Sequence, residues 1–322
     1  MQSPRNQGLL SRLLRASFSS AQVPQRTASA PSSAWEDDPR WGREHWRIRR
    51  DAVDWPKKER VAAVLAIPFG FPDFNYKVPE GGGTTGQVAR IHVQVYGPKF
   101  GIWRLLDVLD RQNVKASFEV NGISAAQFPE IVKEVATRGH EIVGFHWADN
   151  IFHDQQSVDE DRELIRRTLS AIESATGKRP TGWVAPNLRF GEKTLETLSA
   201  EGIQWHACNL SDDRPYVIHV GPKPMIVMPH ADKQMDDAGF IIGSRRPPEV
   251  FLDFLKRQFR TLHREGDRMG KMFNFSVHPE YGARPFFIDA VEEMIGYLKS
   301  YPDVWFTTRQ NVADWWTKQK YS

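Results

Sequence analysis

The sequence predicts an α/β fold of the (β/α)-barrel kind, and three observations carry that prediction. Apolar runs of strand length alternate with amphipathic helical segments from Arg60 onward, the pattern of a parallel sheet covered by helices. Polar, chemistry-bearing residues follow one strand after another, which gathers them on a single rim. No Gly-x-Gly-x-x-Gly or Walker-type loop follows any strand, so a nucleotide-binding open sheet has no support.

Taken in order, the first strand is Arg60 to Ile67, a continuous apolar run that reads as covered on both faces. It breaks at Pro68-Phe69-Gly70-Phe71-Pro72-Asp73, and a Gly81-Gly82-Gly83 loop follows. Ile102, Leu105, Leu106 and Leu109 keep helical spacing, and Val114 to Val120 is the second strand. Ile123 to Thr137 reads as one helix, then Glu141 to Phe145 as a strand. Ser157-x-x-Glu160 is a capping box that opens a helix with Ile165, Leu169 and Ile172 inward, and Gly177 closes it. Pro180 to Ala185 is a strand, Glu192 to Glu201 a helix and Ile203 to Cys208 a strand. Tyr216 to Ile218 and Met225 to Met228 are short strands. A long helix carries Phe251, Phe254, Leu255, Phe259 and Leu262. Met272 to Val277, Ile288 to Leu298, Val304 to Thr307 and Asn311 to Lys318 complete the alternation.

Bulk properties narrow the function. The 322 residues are 40% hydrophobic and 26% charged, with a net charge of +3, ordinary for a globular enzyme. There is no basic stripe with interleaved aromatics, so nucleic acid is not an expected partner. No apolar run approaches about 18 residues, so no membrane span is expected. Cys208 is alone, which forbids an intrachain disulfide. Met1 to Trp35 contains no Asp or Glu, is rich in Arg and Ser, and can form a short basic amphipathic helix around Leu9 to Arg15. That composition suits a mitochondrial transit peptide, with an unaddressed tail and a cytoplasmic protein as the alternative. Residues 1–40 are therefore read as an arm and 41–322 as the catalytic domain.

The chemistry centres on Gly139 to Asp154. There a short apolar strand opens into His146, Asp149, Asn150, His153 and Asp154, residue types suited to acid–base or metal work at one spot. Further polar groups follow other strands: Asp73, Asn187, Asp212-Asp213, Asp232, Asp236-Asp237 and His278. Asp236 and Asp237 read as solvated loop acids, and His140 as a structural cap on the preceding helix.

These residues resemble the polysaccharide deacetylase-like, or NodB-homology, superfamily, and within it the allantoinase-like branch. The resemblance spans about residues 55 to 318 and rests on Tyr96-Gly97 with Gly101 and Trp103-Arg104, and on Phe118-x-Val120-Asn121-Gly122 with Phe128-Pro129. It rests further on Gly139-His140-Glu141-Ile142, Asp212-Asp213-Arg214-Pro215-Tyr216, Met228-Pro229, Asp236-Asp237 and His278-Pro279-x-x-Gly282-x-x-Pro285. It implies a distorted (β/α)7 barrel that hydrolyses an amide or related C–N bond. Metal-dependent members carry Asp-Asp after the first strand and His-x-x-x-His after the third. Here only Asp73 follows the first strand, Asn150 stands at the second-His spacing after His146, and the allantoinase-like branch lacks metal ligands.

Two mechanisms stay open. In one, Asp73, His146 and His153, with Asn150 or Asp149, hold one divalent ion such as Zn²⁺ that activates water. In the other there is no metal: Asp212 or Asp213 is the general base, His278 the general acid, and His146 shares their pocket. Trp147, Trp183 and Tyr216 would line the mouth, with Phe152, and Asn150 and Asn187 would bind substrate. The expected activity is hydrolysis of an amide or cyclic amide in a small molecule. A metal-dependent polysaccharide or amino-sugar N-deacetylase and an inactive binding protein are the alternatives, and homo-oligomerisation stays open.

Overall fold

All nine residues of β1 (Val61–Phe69) are buried, as a strand covered on both faces requires. The computed structural model describes residues 36–49, 52–74, 91–231, 235–244 and 246–321. The proposed address at residues 1–35, the Gly81–Gly83 loop and Asp232 lie outside the described residues. β1 pairs with β2 (Ser117–Val120) on one side, followed by β3 (Glu141–Gly144), β4 (Gly182–Trp183) and β5 (Trp205–Asn209), all parallel. β8 (Lys271–Ser276) lies parallel on its other side, and β9 (Val304–Thr307) pairs with its first half, Val61 to Val64. β5 is continued by β7 (Lys223–Pro229), again parallel. The parallel sheet with its covering helices is the α/β architecture that the strand–helix alternation predicts.

One strand departs from the expected parallel order. β6 (Tyr216–Val220) runs antiparallel to β7, from Tyr216↔Val227 to Val220↔Lys223. The two are joined by Gly221 and Pro222, with Gly221 at φ 60°. Such a link makes a hairpin, whereas a parallel return needs a crossover of a dozen or more residues. Among the described residues the ends of the sheet are linked without a ladder. The Met272 N–H donates to the Asp213 carbonyl at 2.8 Å, and Asp236 forms an isolated bridge with Ser276.

Side chains alternate between the two faces of each strand. One face gathers Ala62, Val64, Val143, Val184, Ala207, Met228 and Met272 into the inner core. The other turns Val61, Ala63, Leu65, Ile67, Phe118 and Phe273 toward the helices. These helices are α1 (Arg43–Trp46), α2 (Ile102–Gln112), α3 (Gly122–Gln127), α4 (Pro129–Thr137) and α5 (Val158–Thr176). α6 (Thr194–Ala200), α7 (Asp237–Ser244), α8 (Pro248–Glu265), α9 (Ile288–Lys299) and α10 (Arg309–Tyr321) follow. The single helix expected over Ile123 to Thr137 is two, because Pro129 excludes the helical region at Phe128 (φ −131°, ψ 51°). α5 begins with both halves of its capping box formed, and ends at Gly177 in the left-handed conformation.

Candidate active site

The clearest chemical arrangement follows β8. The His278 backbone N–H donates to both carboxylate oxygens of Asp237, at 3.0 and 2.9 Å, and its ring Nδ1 meets Oδ1 at 2.7 Å. Asp237 is fully buried at the start of α7, where the Ala238 N–H donates to it at 2.8 Å. A negative side chain is favoured at a helix start. Gly282 leaves the room this needs: a Cβ there would stand 3.1 Å from Asp237 Cγ and closer still to Oδ2. Burial opposes a charge on His278, but the carboxylates of Asp236 and Asp237 outweigh it and raise the imidazole well above its ordinary value. Burial also raises the Asp237 carboxyl, while its N–H partners favour the ionised form. With Nδ1 engaged, Nε2 is the nitrogen available to a substrate.

Glu280, two positions on, is 5% exposed. Burial, with the charges of Asp149 and Asp237 adding and His278 opposing, pushes its carboxyl up to about 8. It links His278 electrostatically to Asp149 in the loop after β3. Asp149 is placed by Asn121, whose Nδ2 donates to Asp149 Oδ1 at 3.0 Å and to the Phe71 carbonyl at 2.8 Å. The Asp149 N–H donates to the same Phe71 carbonyl at 3.2 Å.

The structure divides the predicted residues differently from the expected single pocket. His146 and His153 are fully buried, ring centroids 4.0 Å apart, and converge on Asp161 of α5: His146 Nε2 lies 3.3 Å and His153 Nδ1 2.5 Å from Oδ1. Thr194 Oγ1 donates to Asp161 Oδ2 at 2.6 Å, and Trp183 Nε1 donates to His153 Nε2 at 3.2 Å. Strand alternation explains the placement. Val143 and Phe145 turn to the inner core, so His146, at φ 42°, falls on the helix side. Burial and the neighbouring His153 lower His146 to about 4. Burial opposes ionisation of Asp161, but hydrogen bonds from His146, His153 and Thr194 hold it well below the usual carboxylate range.

This donor set does not fit the metal that the resemblance raises. His146, His153 and Asp161 stand close enough together to share an ion, but in this arrangement both nitrogens of His153 are engaged, Nε2 by the Trp183 indole and Nδ1 by Asp161. Asp73, the third expected ligand, is engaged elsewhere. Its backbone is clamped by Asn150 through Oδ1 (2.8 Å) and Nδ2 (2.9 Å), and its Oδ2 accepts from Trp147 Nε1 at 3.4 Å. The three residues do not converge.

Asp212 and Asp213 are not brought to His278 either. Asp212 Oδ1 accepts from the Arg214 N–H at 3.1 Å, a turn contact. Asp213 is half exposed and paired with Lys271 Nζ at 3.2 Å, beside the first residue of β8. His278 lies past the other end of that strand, roughly 20 Å away at about 3.3 Å per residue. Trp147 is buried with Phe71, Ile123 and Ile151, under the Arg167 guanidinium at 3.7 Å. Trp183 is wholly buried, and Asn187 is exposed at φ 52°. Tyr216 is 1% exposed, its hydroxyl 2.6 Å from His45 Nδ1 and its ring under Arg49. Burial raises that phenol to about 12. Neither Trp183 nor Tyr216 offers a face to a substrate.

His140 is a structural residue, as expected, and has a second role besides the helix end. Its backbone N–H donates to the Val135 carbonyl at 3.3 Å, at the end of α4, and its Nδ1 accepts from the Ala116 N–H at 3.2 Å, which also fixes the entry to β2. Sequence reasoning missed Glu280 and ranked Asp237 low. The available signal was the loop after β8, where His278 and Glu280 precede the glycine that admits Asp237.

Comparison with known proteins agrees with this architecture. Residues 96–206 match the polysaccharide deacetylase family. The chain is 26% identical over 252 residues to a peptidoglycan deacetylase of Helicobacter pylori, covering 68% of this chain and 85% of that protein. Its fold is similar to a probable polysaccharide deacetylase of Pseudomonas aeruginosa PAO1 (TM-score 0.75, 25% identity, 83% of this chain and 94% of the other). It is also similar to PuuE allantoinase (TM-score 0.74, 23% identity, 83% and 94%). The fold is thus of the distorted NodB-homology barrel type.

Proposed function

We propose that this chain, which carries a polysaccharide deacetylase-family segment on a NodB-homology barrel, hydrolyses an amide or cyclic-amide C–N bond in a small molecule. The observation that carries the reading is the His278–Asp237 pair. A charged imidazole held at Nδ1 by a buried carboxylate is equipped to give its Nε2 proton to a departing nitrogen. Leaving nitrogen is the poor leaving group in amide hydrolysis, so an acid at this point addresses the difficult step. The small-molecule assignment draws support from the likeness to an allantoinase fold and from the failure of Asp73, His146 and His153 to form the metal site of glycan deacetylases. The test is a turnover screen of cyclic ureides, cyclic imides, N-acetylated amino acids and N-acetylated sugar oligomers. A ring-opened or deacylated product, abolished in His278→Ala, supports the reading; equal turnover by His278→Ala rejects it. We also propose that residues 1–35 direct the protein to mitochondria, and a fluorescent reporter fused behind them that stays cytosolic would refute this.

A further inference from the structure

We propose that Asp149 is the carboxylate that activates water in this site, and that the absence of a side chain at Gly70 is what leaves Asp149 room; the proposal rests on the hydrolytic reading above. Gly70 directly follows β1, at the rim where a strand-end side chain would project. A Cβ there would stand 2.6 Å from Asp149 Oδ2 and closer still to Oδ1. The carboxylate from the loop after β3 therefore fills the space that a side chain on β1 would claim.

Its setting suits the role. Asn121 fixes Oδ1 while also holding the Phe71 carbonyl, and the Asp149 N–H ties its own backbone to that carbonyl. The group is thus anchored from two strands, yet Asp149 remains partly exposed. β1 and β8 are neighbours, with the Val277 N–H donating to the Ala66 carbonyl at 3.0 Å. Asp149, from the loop after β3, thus lies over the end of β1, and His278 lies past the end of β8, the strand beside it. Glu280 is buried and feels both charges. Asp73, another acid of this rim, turns its carboxylate to the Trp147 indole instead.

The step balances. Asp149 takes one proton from water as the oxygen forms its bond to the carbonyl carbon. The tetrahedral intermediate collapses with cleavage of the C–N bond, and the electron pair of that bond goes to nitrogen. His278 supplies the proton that nitrogen takes up, and the proton on Asp149 passes to solvent as His278 is reprotonated. One water is consumed.

The experiment compares full-length Asp149→Asn, Asp149→Gly, Asp73→Asn and His278→Ala on whichever compound of the screen is turned over, with melting curves for each. Asp149→Asn is expected to lower kcat by on the order of 10²-fold or more, with KM within a few-fold and the fold kept. Asp73→Asn is expected to stay within a few-fold of the parent. Added formate is expected to restore part of the rate to Asp149→Gly, an effect that a merely structural role would not produce. Full activity in Asp149→Asn while His278→Ala is inactive would overturn the proposal and leave the hydrolytic reading standing. Loss in Asp73→Asn with Asp149→Asn active would move the base to Asp73 and overturn it too. Gly70→Ala supplies an independent check, expected to cut kcat by displacing Asp149, and unchanged kcat there would count against the proposal.

Discussion

Arg309 and Glu119 form an ion pair in the barrel interior, the arginine fully buried and the glutamate 1% exposed. Arg309, the first residue of α10, reaches inward past β9, and Glu119 is an inward residue of β2. His230, just beyond β7, completes the group with Nε2 3.8 Å from the same carboxylate oxygen. Removing one partner strands the other charge in the core. Arg309→Met should therefore cost about 3–5 kcal/mol, and the double variant Arg309→Met/Glu119→Met should recover a large part of that loss. Urea denaturation of the two variants checks this, and equal stability of the single and double variants would contradict it.

The His278–Asp237 pair predicts a pH limit on turnover. The imidazole is an acid only while protonated, and Asp236 and Asp237 raise it well above its ordinary value. Activity that depends on it should persist through neutral pH and fall as pH rises through the raised value. Asp237→Asn, which removes that charge, should move the alkaline limb of the kcat profile toward lower pH. The linked stability has the same sense: the pair's contribution is complete below the unfolded histidine value and is lost as pH rises through the folded one.

Other histidines act in the opposite direction. Burial lowers His140 and His146 to about 4 and His206 to about 3. Between those values and about 6.5 the unfolded chain binds protons that the folded chain refuses, so stability should fall as pH drops from 6.5 toward 4. Among the described residues His206 has no hydrogen-bond partner at either ring nitrogen, and it meets Phe190 edge-on at 5.1 Å. His206→Phe should therefore flatten the acid side of the stability curve and cost little at pH 7. Chemical denaturation at pH 5 and 7 would show it; an unchanged difference between the two pH values would refute it.

The Trp183–His153 hydrogen bond predicts indifference to chelators. With that ring committed between Trp183 and Asp161, removing divalent ions should change neither turnover nor melting temperature. Activity lost to a chelator and restored by zinc would contradict this and turn attention to Asp236, Asp237 and His278, whose ligand atoms are close enough together to hold an ion. Trp183→Phe should cost about 1–3 kcal/mol by leaving the buried His153 Nε2 unpartnered, which thermal melting reads directly.

Much of the fold was legible because it follows from local rules. The apolar run of β1, the capping box at Ser157 and Glu160 and the glycine stop at 177 each describe one stretch of chain and each forms, although β1 continues through Pro68 and Phe69, where a break was expected. The break of α3 from α4 was written in Phe128-Pro129 and overlooked, and the antiparallel β6 in the short Gly221-Pro222 link. Of the site, His278 was legible as a polar residue ending an apolar strand. Its partner was not, because Asp237 reaches it across 41 positions through the fold.

What the sequence by itself determined was the strands, most of the helices, their alternation, and so a barrel with polar groups at strand ends. Periodicity and capping act within one element, and composition suffices to specify them. What only the tertiary structure decided was direction and company. A residue after a strand can turn to the inner core, the helix layer or the rim, and one step of alternation sent His146 to Asp161 and Phe145 inward. Asp213 ended at the start of β8 because of the path its loop takes, and Asp149 came to the end of β1 because Gly70 left the space open. Contacts between segments far apart in sequence depend on register and on the volume left by neighbours, and neither is a property of any single stretch of chain.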